Sequence, residues 1–279
     1  AALGATARYN TSVSETAGSL AWLRRTARGP TMAIWTSFCV AMGRTTARLP
    51  NAVRYDAVSR WKLNWADGAR LLVNLEPTIV RAPALPVPDS DLPRGRLIVA
   101  NHRTPLDVIA LMQIFGGHFL ANHKTRTAPV IGVAAEAIGT LFVDRDDRQS
   151  GALAVRAMRK LLVEKRTVVV FPEGTTYDGD EVRPFKGGAF VAASGLDVEV
   201  IPVGIAYKPG TEFVGESLSS HAKRFLSRPA TRSWLAIGEP FSFPEKRRGV
   251  EDDLRERVQA LVHDARRAAT PILGDGEKK

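Results

Sequence analysis

The residues best able to do chemistry in this chain stand together in Ala100 to Asp107, A-N-H-R-T-P-L-D, where an imidazole and a carboxylate lie five positions apart. An imidazole takes up a proton near neutral pH, and a carboxylate beside it fixes the tautomer and supports the charge gained, which is the pairing a general base needs. The flanking residues say how the pair is held. Arg96 to Ala100 is a β-branched-rich run that reads as a buried strand, and Leu106, Val108, Ile109, Leu111 and Met112 repeat with helical spacing. His102 therefore sits on a strand-to-helix turn, where α/β scaffolds expose catalytic groups. Thr104 is expected as the N-cap of this helix, with Pro105 in the first helical position and Asp107 in the third, from which a carboxylate reaches back toward the cap. A capping acid alone accounts for Asp107 without chemistry; the two roles are compatible.

Further along, Phe171-Pro172-Glu173-Gly174-Thr175-Thr176 follows an apolar run. Gly lets backbone N–H groups approach an anion, and Thr hydroxyls can donate to phosphate oxygens. Asn101-His102-Arg103-Thr104-Pro105-Leu106-Asp107 resembles the N-H-x4-D motif of the glycerolipid acyltransferases related to bacterial 1-acylglycerol-3-phosphate acyltransferase. Gly139-Thr140-Leu141-Phe142-Val143-Asp144-Arg145 is similar to the second block of that family, the Phe171 to Thr176 stretch to its third, and Val200-Ile201-Pro202-Val203-Gly204-Ile205 to its fourth. Four blocks in the family's order cover residues 95 to 205.

The resemblance implies transfer of a fatty acyl group from a thioester of acyl carrier protein or coenzyme A to the hydroxyl of a lysophospholipid. The foremost acceptor is 1-acylglycerol-3-phosphate, giving phosphatidic acid, with neither cofactor nor metal. His102 and Asp107 are then the catalytic pair, and Asn101, Arg145, Glu173, Gly174, Thr175, Thr176 and Lys186 the substrate-binding set. Arg145 is placed by its block to meet the phosphate, a task for which a guanidinium is suited; the other reading puts it in a solvated charge run with Asp146, Asp147 and Arg148. Glu173 has the wrong charge for phosphate, so it either bonds the glycerol hydroxyl or orders its loop. The family's third block commonly ends Glu-Gly-Thr-Arg, whereas this chain has Thr176. Either Arg145 with Arg103, Arg183 or Lys186 makes up the charge, or the acceptor is another lysolipid such as lyso-ornithine lipid.

The elements around these blocks follow from patterning. The chain has 279 residues and 44% hydrophobic content, enough for one α/β domain with additions. Strands alternating with helices predict a mostly parallel sheet flanked by helices, the αβα fold of the acyltransferases resembled here. Val168 to Phe171 reads as a central strand, Leu141 to Val143 as a third inner strand, Val198 to Ala206 as a strand pair with Pro202 and Gly204 inside it, bulged or lying where no ladder partner is needed, and Leu235 to Ile237 as an edge strand. Pro77 is expected to end a helix ahead of a strand at Thr78 to Arg81. Ser150 to Lys165 reads as an amphipathic helix with Leu153, Val155, Met158, Leu161 and Leu162 inward, and Asp252 to Ala268 as a polar one.

A net charge of +10 asks for an acidic partner. No nucleic-acid module or aromatic-basic interleaving is present, so an anionic membrane surface is favoured over nucleic acid. Residues 1 to 60 hold eight Arg against Glu15 and Asp56. Thr31 to Gly43 is apolar but too short for a ~30 Å bilayer, which needs about 20 residues. It reads as an interfacial or re-entrant helix, or else a core helix, with Trp35, Trp61 and Trp65 as interfacial anchors or plain packing. The single Cys39 excludes an intrachain disulfide and suits a reducing compartment; the protein is expected on the cytoplasmic face of a membrane, peripheral or monotopic. The start at Ala1 fits a processed or trimmed terminus. The expected organisation is a basic, apolar helical region over 1–76, an α/β acyltransferase domain over 77–245, and a C-terminal helix with a disordered tail over 246–279. The alternative of another class is an inactive, basic membrane-binding protein on the same fold.

Overall fold

The computed structural model describes residues 2–46, 48–83, 92–128, 131–244 and 248–274. Two helices, α1 (Ala2–Thr46) and α2 (Asn51–Val73), form an antiparallel pair ahead of the sheet. The strands are β1 (Leu75–Arg81), β2 (Gly95–Ala100), β3 (His118–Asn122), β4 (Leu141–Val143), β5 (Thr167–Val170), β6 (Val198–Tyr207), β7 (Thr231–Ile237) and β8 (Phe241–Ser242). They make one sheet in the order β1-β7-β6-β2-β5-β3-β4, with β8 on β6; β7 and β8 run antiparallel to β6 and the other neighbours are parallel. This is the predicted class, a mostly parallel sheet flanked by helices.

β2 is buried along its whole length because it lies between β5 and β6 with helices on both faces. One face carries α2 and α3 (Leu106–Phe115), which bring Ala66, Ala69, Leu106, Ala110 and Phe115 onto Ile98 and Ile201. The other carries α5 (Arg148–Val163), α6 (Gly188–Ala193) and α8 (Val250–Gly274), which bring Met158, Leu162, Phe190, Leu254 and Val258 onto Leu97, Val99 and Val200. Each fully buried aliphatic side chain here contributes about 1.5–3 kcal/mol. α8 lies so close to β6 that a Cβ on Gly204 would sit 2.2 Å from the Leu261 carbonyl carbon.

Several boundaries differ from expectation. α2 ends at Val73, where Asn74 turns into the left-handed region at φ 50° and closes the last turn, and Pro77 stands inside β1. β1 is an edge strand, where a missing N–H is tolerated. β4 is the opposite edge and not an inner strand, since a three-residue apolar run looks the same in either place. β6 is one continuous ten-residue strand and not a pair; Pro202 falls between the stretch paired with β8 and the stretch paired with β7, where no antiparallel ladder needs its N–H, which is one of the two readings its place in the strand allows. β7 is interior, between β1 and β6. In α5, Leu153 is 62% exposed, whereas Val155, Met158, Leu161 and Leu162 turn inward or partly so. α8 extends through Gly274; the rest of the expected tail lies outside the described residues.

Candidate active site

The carboxyl ends of β2, β4, β5 and β6 lie at one edge of the sheet, and the loops leaving them carry most of the residues singled out in the sequence. In the loop after β2, His102 Nδ1 lies 2.8 Å from Asp107 Oδ2. The same oxygen accepts the N–H groups of Arg103 at 2.7 Å and Thr104 at 3.0 Å, so the carboxylate does reach back from the first turn of α3. The cap itself is different: Pro105 precedes the helix, and no side chain caps it. The Thr104 hydroxyl stands 3.4 Å from Leu106 N and is drawn instead to His221 Nε2 at 2.8 Å.

Asp107 is fully buried and the His102 side chain is 19% exposed. The imidazole stacks on Phe171 at 4.0 Å between centroids and 12° between planes, which leaves it one in-plane freedom that Asp107 removes. A carboxylate only accepts, so Nδ1 carries the proton and Nε2 keeps its lone pair. The pair can therefore take a proton at Nε2 while Asp107 stabilises the imidazolium.

Glu173, just beyond β5, is buried and fully engaged. Its Oε1 accepts the His102 N–H at 2.8 Å, its Oε2 accepts the Arg183 N–H at 3.0 Å, and Arg103 Nη1 donates to both oxygens at 3.1 and 3.3 Å. Arg103 also donates to the carbonyls of Gly179, His102 and Glu181. One of the two tasks expected of Glu173 is carried by these contacts, and one expected phosphate partner drops out. Glu173 orders the loop, and the Arg103 guanidinium, 2% exposed and committed to four partners, is closed to a phosphate. Asn101, expected to bind substrate, has both ends of its amide on the Ile205 backbone at 2.8 and 2.9 Å, so it ties β2 to β6.

Of the cations expected to meet the phosphate, Arg145, after β4, and Lys186 are exposed. Partial burial lowers the Arg145 pKa from its ordinary value and Tyr177 opposes that shift, while Asp146, Asp147 and Arg148 beside it are exposed. Lys186 lies over Gly174, whose φ of +83° suits a residue without a side chain; a Cβ there would stand 2.9 Å from Lys186 Cε. Thr175 is exposed, while the Thr176 hydroxyl donates to the Phe213 carbonyl. Arg183 pairs with Glu181 at 3.0 Å and lies 5.5 Å from the centre of the Tyr177 ring. The loops thus bring Lys186 over the Gly174 turn, with Asn101 and Thr176 turned to structural partners.

Sequence reasoning missed His221, on α7 (Leu218–Ser227). Its Nδ1 lies 2.8 Å from Glu216 Oε1, and Glu216 also pairs with Arg224. Burial pushes the His221 pKa down, with the Glu216 hydrogen bond opposing. An isolated His 117 positions from Thr104 carries no local signal, so only the fold reveals the contact. Phe171 and Tyr177 lie in or next to a recognised block, but nothing in their types announces a stacking or walling role. Among the described residues no group of three or more His, Cys, Asp or Glu is arranged to hold a metal.

The class follows from comparison with known proteins: the profile of a family described as Acyltransferase matches residues 87–206, which hold the four blocks. The 1-acyl-sn-glycerol-3-phosphate acyltransferase of Neisseria meningitidis is 31% identical over 186 residues, 63% of this chain and 73% of that protein. The lyso-ornithine lipid O-acyltransferase of Brucella abortus is 30% identical over 191 residues, 61% of this chain and 72% of that protein. The crystal structure of the 1-acyl-sn-glycerophosphate (LPA) acyltransferase from Thermotoga maritima shares the fold, with a TM-score of 0.60 at 19% identity over 86% of this chain and 97% of that one. The chain belongs to the family of the 1-acyl-sn-glycerol-3-phosphate acyltransferases, and it is an acyltransferase.

Proposed function

We propose that the protein moves a fatty acyl group from a thioester of acyl carrier protein or coenzyme A to the free hydroxyl of 1-acylglycerol-3-phosphate, giving phosphatidic acid. His102 Nε2 takes the hydroxyl proton, the alkoxide oxygen bonds to the thioester carbonyl carbon, and the imidazolium is held by Asp107. Collapse of the tetrahedral intermediate breaks the C–S bond, and the leaving thiolate takes the proton back from His102. Backbone amides of the Gly174 turn are the candidate donors to the oxyanion. Arg145 and Lys186 receive the phosphate, with the Thr175 hydroxyl as a further donor. Glu173, Asn101 and Thr176 act by holding the loops. No cofactor enters this scheme.

The observation that carries the reading is the 2.8 Å His102–Asp107 contact at the carboxyl edge of the sheet. His102→Ala should abolish nearly all thioester-dependent acylation with the fold intact by circular dichroism; wild-type rates in that variant would end the scheme. One feature favours a second acceptor. Thr176 supplies no cation where an Arg was expected, and the Brucella relative is named for lyso-ornithine lipid. Assay of both lysolipids with the same labelled donor separates the two.

The membrane is met at its surface in this reading. No helix among the described residues is long and apolar enough to cross a membrane. α1 exposes Leu20, Trp22, Leu23, Ile34 and Phe38, and Arg24, Arg25 and Arg28 lie on the same helix, which suits peripheral or monotopic binding to anionic lipid on the cytoplasmic face. Trp35 and Trp65 belong to the α1–α2 seam instead: the Trp35 indole donates to the Trp65 carbonyl at 3.3 Å, and that of Trp65 to the Thr36 hydroxyl at 3.1 Å.

A further inference from the structure

Behind Asp107 lies a line of polar groups that the mechanism has not used. Asp107 Oδ2 takes three donors, but Oδ1 has no hydrogen-bond partner among the described residues, and neither has the Tyr207 hydroxyl or the Ser233 hydroxyl. All three residues are buried, with Tyr207 1% exposed and Asp107 and Ser233 at 0%. Tyr207 ends β6 and Ser233 faces it across the antiparallel β6–β7 register. The phenol pKa is raised well above its ordinary value, first by burial and then by the Asp107 carboxylate beside it, while Ser233 acts the other way. Those signs are what a phenol shows when it donates toward a carboxylate and accepts from a hydroxyl. β2 and β6 pair in parallel as far as Ala100 and Val203, so the loop carrying Asp107 and the last residues of β6 leave the same edge of the sheet; buried polar atoms left unpaired there are rare and costly, which makes these three complementary groups a small movement from bonding. Phe in place of Tyr207 would fill the same space, so the hydroxyl itself is what needs an explanation.

We propose that Tyr207 is a positioning residue for acyl transfer: its O–H donates to Asp107 Oδ1 and its oxygen accepts from Ser233, so that both oxygens of the carboxylate are held and Asp107 cannot rotate away from His102. The charged groups facing Asp107 are then few. His102 bonds one carboxylate oxygen directly, Tyr207 is the partner proposed for the other, and the Arg103 guanidinium donates to Glu173. Rotation of Asp107 would release the His102 ring, free its tautomer and lower the fraction of enzyme with Nε2 aimed at the acceptor. The residue acts on the chemical step and not on binding, because it touches neither lipid nor thioester.

This inference rests on His102 and Asp107 being the catalytic pair. The experiment is Tyr207→Phe in the full chain, with steady-state kinetics on lysophosphatidate and an acyl thioester, and the proton resonance of the His102 Nδ1–H by NMR. The expected result is a fall in kcat of about tenfold, the worth of one buried hydrogen bond. Both KM values should stay unchanged, and the Nδ1–H resonance should move because the Asp107 contact has loosened. Ser233→Ala should shift both readouts in the same direction by less, and it takes the place of Tyr207→Phe if that variant does not fold. An unchanged kcat, an unchanged resonance, or a loss confined to KM each overturns the proposal. His102→Ala run alongside separates the failures: if it is inactive while Tyr207→Phe is normal, only the positioning role falls, and if it is active the catalytic pair itself is wrong.

Discussion

Glu173→Gln tests how the site is built, since it keeps the shape of the side chain and removes its charge. The Glu173 carboxylate is fully buried and the Arg103 guanidinium 2% exposed, so neither is rescued by water. The amide retains one acceptor and turns the other into a donor facing the N–H of His102 or of Arg183. Removing one partner of a buried ion pair costs about 3–5 kcal/mol. Arg103 keeps its bonds to the carbonyls of Gly179, His102 and Glu181, which points to the lower end, about 3 kcal/mol. At about 2–4 °C per kcal/mol for a domain of this size, the melting temperature should fall by roughly 6–12 °C. Because the His102 N–H exchanges a carboxylate for an amide acceptor at best, kcat should fall as well. Urea unfolding, calorimetry and steady-state kinetics on one preparation give all three numbers. If Glu173 instead bonded the acceptor's glycerol hydroxyl, stability would be untouched and only the acceptor KM would rise. An unfolding free energy within about 0.5 kcal/mol of wild type, the range of a neutral surface change, would refute the argument.

The other expectations are shorter. Arg145→Ala should raise the KM for lysophosphatidate about ten- to a hundredfold, the worth of one charge-assisted bond to phosphate, and leave the acyl-donor KM alone, while Thr176→Arg should improve use of that acceptor. Kinetics with lyso-ornithine lipid in parallel show whether phosphate is the group read. Replacing Trp22, Ile34 and Phe38, which are 55%, 70% and 49% exposed, by Ser should weaken sedimentation with anionic vesicles without changing the melting temperature; unchanged binding would remove α1 from the membrane contact. Burial holds the folded pKa of His221 below its ordinary value of about 6.5, so the unfolded chain binds that proton more readily. Its contribution to stability is therefore intact above about pH 6.5 and is lost as pH falls from there through the lower folded value. His221→Gln should flatten the fall in melting temperature below pH 6.5, and an unaltered slope would show that another group titrates there.

What the sequence determined by itself is local. A strand, a turn and a helix start are written in consecutive residues, so the placing of His102 and Asp107 on one turn, and the carboxylate's reach back along the backbone, are settled within eight positions. The alternation of apolar runs and helical periods likewise specifies a mostly parallel sheet covered on both faces. Tertiary structure decided everything that depends on which strands become neighbours. Leu141 to Val143 and Leu235 to Ile237 are both three-residue apolar runs in the sequence, yet one became an edge and the other part of an interior strand, because pairing is a long-range choice. The same holds for polar side chains. Arg103 and Asn101 look like substrate ligands from their place in a motif, but contacts with residues 70 to 104 positions away spend them on the scaffold. His221, Tyr207 and Ser233 gain their meaning only because β6, β7 and α7 converge behind the loop after β2, an arrangement no local spacing encodes.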